Sequence, residues 1–382
     1  MKLPSTSWRV AAVAAVALVL PQAALAEIKV GVTIAATGPA SALGVPARNT
    51  FTELFPKEIA GEKVTVILLD DASDPGKATT NARRLVTEDK VDVLVGSSIT
   101  PSSLAISGVA LENGVPHFTQ SPMPMVPDRT KWTFMMPQDV PLVAKPVFDH
   151  MKANKVKTVG FIGFSDSWGD LWVKAFKAQA EPMGLKIAAE ERYGRADTSV
   201  AGQTLKLIAA KPDAILVAAS GAGSALPNIA LRERGFKGTI YQTHGAVSKI
   251  FIKLAGKAAE GTILPSGPLV VAPLLPPSPQ TAAALEHFKA YESKYGAGSI
   301  TQFSGHAFDV GQILKRVVPV ALKSAKPGTQ AFRAALLKAI ESEKEIAASH
   351  GVYNFTPTDH TGLDERGRVL LTVKNGDWAL VK

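Results

Sequence analysis

The stretch VDVLVGSSITPSSLAISGVALEN, residues 91–113, joins a short β-branched run to an amphipathic one through a loop of small and hydroxyl residues. A run that is apolar at nearly every position, without polar alternation, is the pattern of a strand covered on both faces, and so of a parallel sheet with helices on either side. The unit recurs in both directions. IKVGVTIA (28–35), VTVILLD (64–70) and VPHFT (115–119) are further strands of a first block, separated by helical stretches such as KATTNARRLVTED (77–89). A second block runs through TVGFIGF (158–164), LKIAAEERY (185–193), DAILVAAS (213–220) and GTIYQTH (238–244), with LWVKAFKAQAEPMG (171–184) among its helices. Two such blocks predict an α/β protein of two Rossmann-like, doubly wound lobes.

The rest of the chain does not continue the cycle. LPSGPLVVAPLLPPSP (264–279) holds six prolines, which disfavour helix and central strand alike and suit a passage between lobes. Helices are expected at about 281–295, 302–325 and 329–343, followed by a hairpin, RVLLTVKNGDWALV (368–381), turned at Asn375-Gly376. The expected organisation is a leader at 1–26, first lobe at 27–140, main part of the second lobe at 141–266, completion of the first at 267–348, and completion of the second with the terminal hairpin at 349–382. Crossings near 139–142, 265–273 and 345–355 would act as a hinge.

The leader reads as a secretory signal peptide: Lys2 and Arg9, then the apolar VAAVAAVALVL (10–20), then the small-residue ALA (24–26). Its apolar core is too short to span a hydrocarbon layer of about 30 Å. The expected fate is secretion. Loss of Lys2 and Arg9 lowers the formal charge from +9 by two, to +7. That charge is dispersed, without a basic block or interleaved aromatics, so nucleic acid is not an expected partner. There is no cysteine, which excludes disulfides, thiolate metal sites and cysteine nucleophiles.

Ligands of open α/β sheets sit beyond the carboxyl ends of the strands. After VDVLVG, Thr100 suits an N-cap and Pro101 a first helical position, leaving the amides of Ser102 and Ser103 without intrahelical acceptors. That makes an anion site, unless Thr100 merely caps its own helix. TGPASALG (37–44), with Leu43, and SGAGS (220–224), beginning at Ser220, border the same region. No GxGxxG follows the first strand and no P-loop lysine is present, so no cofactor is expected. Asp70, Asp71 and Asp74 lack calcium-loop spacing and read as turn caps. The seven histidines are scattered, without metal-ligand spacing. GFSDSWG does not bracket a serine as a hydrolase elbow does.

In that order and spacing, IKVGVTIAATGPASALG, LDDASDP, GSSITPSSLA, ENGVPHFTQSP and AAEGT (258–262) resemble the periplasmic branched-chain amino-acid-type solute-binding proteins of ABC transporters. The resemblance covers essentially the whole chain after residue 26. It implies two lobes joined by three crossings, closing on a small molecule without catalysis, an ABC permease as partner, and a monomer. It also implies site residues. Thr100, with the Ser102 and Ser103 amides, would hold a ligand carboxylate; Phe118 and Ser121 would lie in a second cluster; Trp168 would cover the ligand from the second lobe.

The family's amino-acid binders end the strand at 239–243 in a glutamate before glycine, which pairs with the ligand ammonium; here His244 precedes Gly245. Their tyrosine falls at Ser220, and Met123 departs from their Ser/Ala-x-Thr pattern. A histidine donates to a carboxylate, carbonyl or hydroxyl and cannot neutralise an ammonium. With Phe118, Trp168 and Phe303 as apolar faces, the expected ligand is an aromatic or other organic acid. An amino-acid binder, a sensory receptor and, least favoured, an exported enzyme are the alternatives.

Overall fold

A computed structural model of the chain describes Met1 and residues 27–381; the expected leader, Met1 apart, lies outside the described residues. The strands are β1 (Ile28–Ile34), β2 (Glu58–Ile59), β3 (Glu62–Asp70), β4 (Val93–Gly96), β5 (His117–Thr119), β6 (Thr133–Met135), β7 (Thr158–Phe164), β8 (Lys186–Tyr193), β9 (Ala214–Ala218), β10 (Thr239–Gln242), β11 (Ile263–Ser266), β12 (Ile346–Ala348), β13 (Gly351–Tyr353), β14 (Val369–Lys374) and β15 (Asp377–Leu380). They form a six-stranded sheet, β2-β3-β1-β4-β5-β6, a seven-stranded sheet, β15-β14-β11-β10-β9-β7-β8, and the small pair β12-β13.

The first sheet is parallel except for the short β2. Ile28, Val30, Val32 and Ile34 on β1 pack against Phe51 and Phe55 and against Val310, Leu314 and Phe332 from the late helices Gln302–Ala321 and Gln330–Ser342. Those helices therefore complete the first lobe. In the second sheet β8, β7, β9, β10 and β11 are parallel, and the β14-β15 hairpin adds an antiparallel edge. Its turn has positive φ at both Asn375 (53°) and Gly376 (72°), as a two-residue hairpin turn matched to strand twist requires.

In each sheet the chain first adds a strand on one side and then returns to the other. The order reverses between β1 and β4 in the first sheet and between β7 and β9 in the second. Loops diverging at such a reversal leave a crevice at the carboxyl ends of the strands.

Two expectations change. Pro265 does lie within a strand inside the sheet. The ladder from β10 to β11 consists of one register pair, Tyr241 opposite Ile263, so Pro265 sits beyond its end, where a missing N–H breaks no bond. The third passage also comes later than 349, because Tyr353 and Phe355 still pack in the first core before the chain re-enters the second sheet at β14.

Candidate functional site

Both strand-order reversals open onto one interlobe cavity. Leu43 follows β1. Ser98, Ile99 and Thr100 follow β4, and Gln120, Ser121 and Pro122 follow β5. From the second lobe come Trp168 after β7, Arg195 after β8, Ser220 after β9, and His244 with Gly245 after β10. Gln302, Phe303 and His306 enter from the first turns of the long helix Gln302–Ala321, and the Gln302 amide donates to the His244 carbonyl across the lobes.

Trp168 is positioned by Asp166, which caps the helix Ser167–Ala175 by accepting from the Trp168 amide at 2.9 Å. The indole Nε1 donates to the Ala219 carbonyl at 3.3 Å, and the ring meets His244 edge-on at 5.2 Å between centroids. The other Asp166 oxygen accepts from Arg195 Nε at 2.6 Å, and Arg195 Nη1 donates to Ser220 Oγ at 3.0 Å. The guanidinium lies 4.3 Å from the centre of the Phe164 ring. Burial lowers the Arg195 pKa, and the Asp166 carboxylate opposes that shift. Among the described residues Nη2 makes no hydrogen bond.

The other polar side chains are neutral, and four of them are short of partners. Both ring nitrogens of His244 and of His306, both amide atoms of Gln120, and Gln302 Oε1 are buried without a hydrogen bond. Burial, aided by repulsion from His350, pushes the His244 pKa down to about 3; burial also holds His306 well below the ordinary histidine value. Leaving such groups unpaired costs about 1–3 kcal/mol each, so the cavity is chemically suited to a solute that supplies donors and acceptors. Arg195 is the single charged side chain in the lining; it contains no Asp or Glu.

Seven of the ten residues expected from sequence line this cavity: Leu43, Thr100, Ser121, Trp168, Ser220, His244 and Phe303. Three do not. Phe118, at the centre of the three-residue β5, is fully buried in the first core against Phe134, because that strand is covered on both faces. Ser103 is an internal linchpin: its hydroxyl bonds the Ser97 amide and carbonyl, Thr119 and Ser121. Its amide bonds the Ile99 carbonyl at 3.0 Å and is not a free donor. Ser102 is buried beside it with its hydroxyl unpartnered, outside the cavity lining.

The helix also begins one residue earlier than expected, with Ile99 as N-cap. Thr100 neither caps it nor offers its hydroxyl proton to the cavity, because Oγ1 donates to the Pro122 carbonyl at 2.8 Å. Asp74 caps the helix Pro75–Thr87, and Asp70 and Asp71 bond turn amides, as turn caps should. Sequence reasoning missed Arg195, Gln302 and His306.

Residues 27–376 match the sequence profile of the periplasmic binding protein family. An extracellular ligand-binding receptor from Rhodopseudomonas palustris HaA2 is 57% identical, with a TM-score of 0.92 over 93% of this chain and 100% of that one. Leu/Ile/Val-binding protein homolog 3 from Brucella melitensis is 24% identical over 88% of this chain and 89% of its own length. The fold is shared by an R. palustris ABC-transporter solute-binding protein in complex with benzoate, 18% identical, with a TM-score of 0.77 over 93% of this chain and 95% of that one.

Proposed function

The chain belongs to the periplasmic binding protein family, and we propose that it is the exported receptor of an ABC importer for a small organic acid, preferably an aromatic one. The acid is captured between the lobes, which close on it about their hinge. One observation carries this reading: the cavity is lined by one cation and no carboxylate. An ammonium enclosed there would lack a counter-charge, and an unpaired buried charge costs several kcal/mol. A carboxylate would meet Arg195, whose planar fork has Nη2 uncommitted. Trp168 and Phe303 offer faces to a ring, while Ser121, Ser220, His244, His306, Gln120 and Gln302 supply neutral polar partners. Leu43 and Thr100 complete the wall, Thr100 as an acceptor.

The fold leaves the ligand class open, since one protein sharing it is bound to benzoate and a relative is named for leucine, isoleucine and valine. The relatives' name favours amino-acid binding as the second reading; the lining residues of this chain favour the acid. A thermal-shift screen over amino acids, aromatic acids and aliphatic acids, followed by calorimetry, decides between them. A solute at 100 times its Kd adds about 2.7 kcal/mol of stability. Stabilisation by amino acids alone overturns the proposal.

A further inference from the structure

The three passages between the lobes meet at one point, and that point adjoins the cavity. The first contributes Gln138, whose amide donates to the Gly367 carbonyl of the third at 2.6 Å. The second contributes Gly267, where a Cβ would lie 2.6 Å from Gln138 Nε2 and 2.6 Å from His350 Cδ2. The third contributes Gly367, where a Cβ would lie 2.8 Å from the carbonyl oxygen of His350, which stands in the β12-β13 turn of the first lobe. Glycine is needed at both positions because neighbouring groups approach the backbone too closely for a side chain.

The His350 ring is anchored by Asp309, a wholly buried residue of the helix Gln302–Ala321. One carboxylate takes five bonds: from His350 Nδ1 at 3.0 Å, the His350 amide at 3.1 Å, the Ser349 amide and hydroxyl at 2.7 Å each, and the Tyr353 hydroxyl at 3.0 Å. A carboxylate accepts, so Nδ1 carries a proton, while Nε2 has no partner. On its other side the ring lies 4.2 Å from His306 between centroids. His306 stands one helical turn before Asp309 and lines the cavity with both nitrogens unpartnered. Room for the ring comes from Gly305, where a Cβ would lie 2.6 Å from His350 Cε1.

We infer that His350, anchored by Asp309, is a positioning residue that couples the cavity to the hinge. A solute group bonded to His306 fixes that ring, the ring confines His350 by packing, and His350 seats Gln138 and Gly267 in the closed arrangement. The coupling runs through contiguous contacts, and its hub lies on the helix that delivers His306.

The chain has no cysteine, so exposed Lys57 and Lys206, one in each lobe, can be replaced by cysteines for a dye pair that reports the interlobe distance without added solute. Asp309→Asn and His306→Ala should each raise the open-to-closed ratio about tenfold, as losing a buried partner does. Together they should do no more than the larger effect alone. His350→Asn, whose amide can replace the Nδ1 donor, should keep most of the wild-type ratio, whereas His350→Leu should not. An unchanged ratio in Asp309→Asn, additive effects, or equal behaviour of the two His350 variants overturns the inference. If Asp309→Asn does not fold, Gly267→Ala, which wedges the junction directly, should shift the ratio the same way; no shift there also overturns it.

Discussion

Arg195 and Asp166 form an ion pair at 2.6 Å in which the carboxylate does two things at once: it orients the guanidinium and caps the helix that carries Trp168. The cation and the aromatic face of the cavity are thus set by one side chain. Arg195→Gln should weaken binding of the best acid from the screen by about 1.5–3 kcal/mol, the range for hydrogen bonds to charged groups. Arg195→Lys should recover part of this, since charge returns without the fork. Calorimetry checks both; unchanged affinity in Arg195→Gln would mean that the acid's anionic end lies elsewhere.

One contact between the lobes is permitted only by glycine. Gly221, after β9, has φ of 59°, and a Cβ there would lie 2.6 Å from Leu43 Cδ1 of the other lobe. Gly221→Ala should therefore lower acid affinity about tenfold, beyond the roughly 1 kcal/mol of backbone strain it brings to any state. Adding Leu43→Ala should restore part of the loss while leaving the strain in place. A double-mutant cycle in binding free energy that shows no coupling would count against the two lobes meeting here in the bound state.

Acid should destabilise the protein through its buried histidines. Burial pushes His117 and His287 down to about 4 and His244 to about 3, with His306 also well below 6.5. Between pH 6.5 and about 4 the unfolded chain binds protons at these positions and the folded chain does not. Their contribution is therefore complete above pH 6.5 and lost as pH falls, at about 1.4 kcal/mol per pH unit for each proton. Asp71 runs the other way, because burial raises it to about 6 and the folded chain takes up its proton first. Burial also raises Asp92 and Asp139 and lowers His150; the large downward shifts of the four histidines outweigh the aspartates, so the melting temperature should drop from pH 7 to pH 5. His244→Gln should flatten that slope by about one proton; a slope identical to wild type would show that His244 charges in the folded state.

Much of this was legible in the chain because its signals are local. Continuous apolar strands, the Asn375-Gly376 turn and the loops ending in Leu43, Trp168, Ser220 and His244 each lie within a few residues of what they determine. Arg195 was not legible. In YGRADTS it looks like a solvated loop arginine, and its burial depends on Asp166 and Ser220, 29 and 25 residues away. Gln302 and His306 reach the cavity only because a helix late in the chain returns to the first lobe. Phe118 was misplaced because a three-residue strand with both faces covered has no alternation to show which side chain points to the ligand.

His244 leads to the sharpest prediction. It is 2% exposed, neutral, unpaired at both nitrogens, and flanked by Trp168 and Trp172 at 5.2 and 6.2 Å. In that setting an imidazole can donate to or accept from a neutral group, but it offers no charge to an ammonium. The one nearby carboxylate, Asp166, is already committed to Arg195, and Arg195 itself repels a cation. Leucine, isoleucine and valine should therefore bind at least about a hundredfold more weakly than the best acid, a difference of roughly 2.7 kcal/mol. His244→Glu should lower acid affinity by setting a second negative charge in the cavity, and any amino-acid binding it creates should stay weak, because Arg195 remains. Calorimetric titration of the wild type with the three amino acids is the direct measurement. Sub-micromolar binding of any of them would refute the assignment of His244, while leaving the family and the fold as they stand.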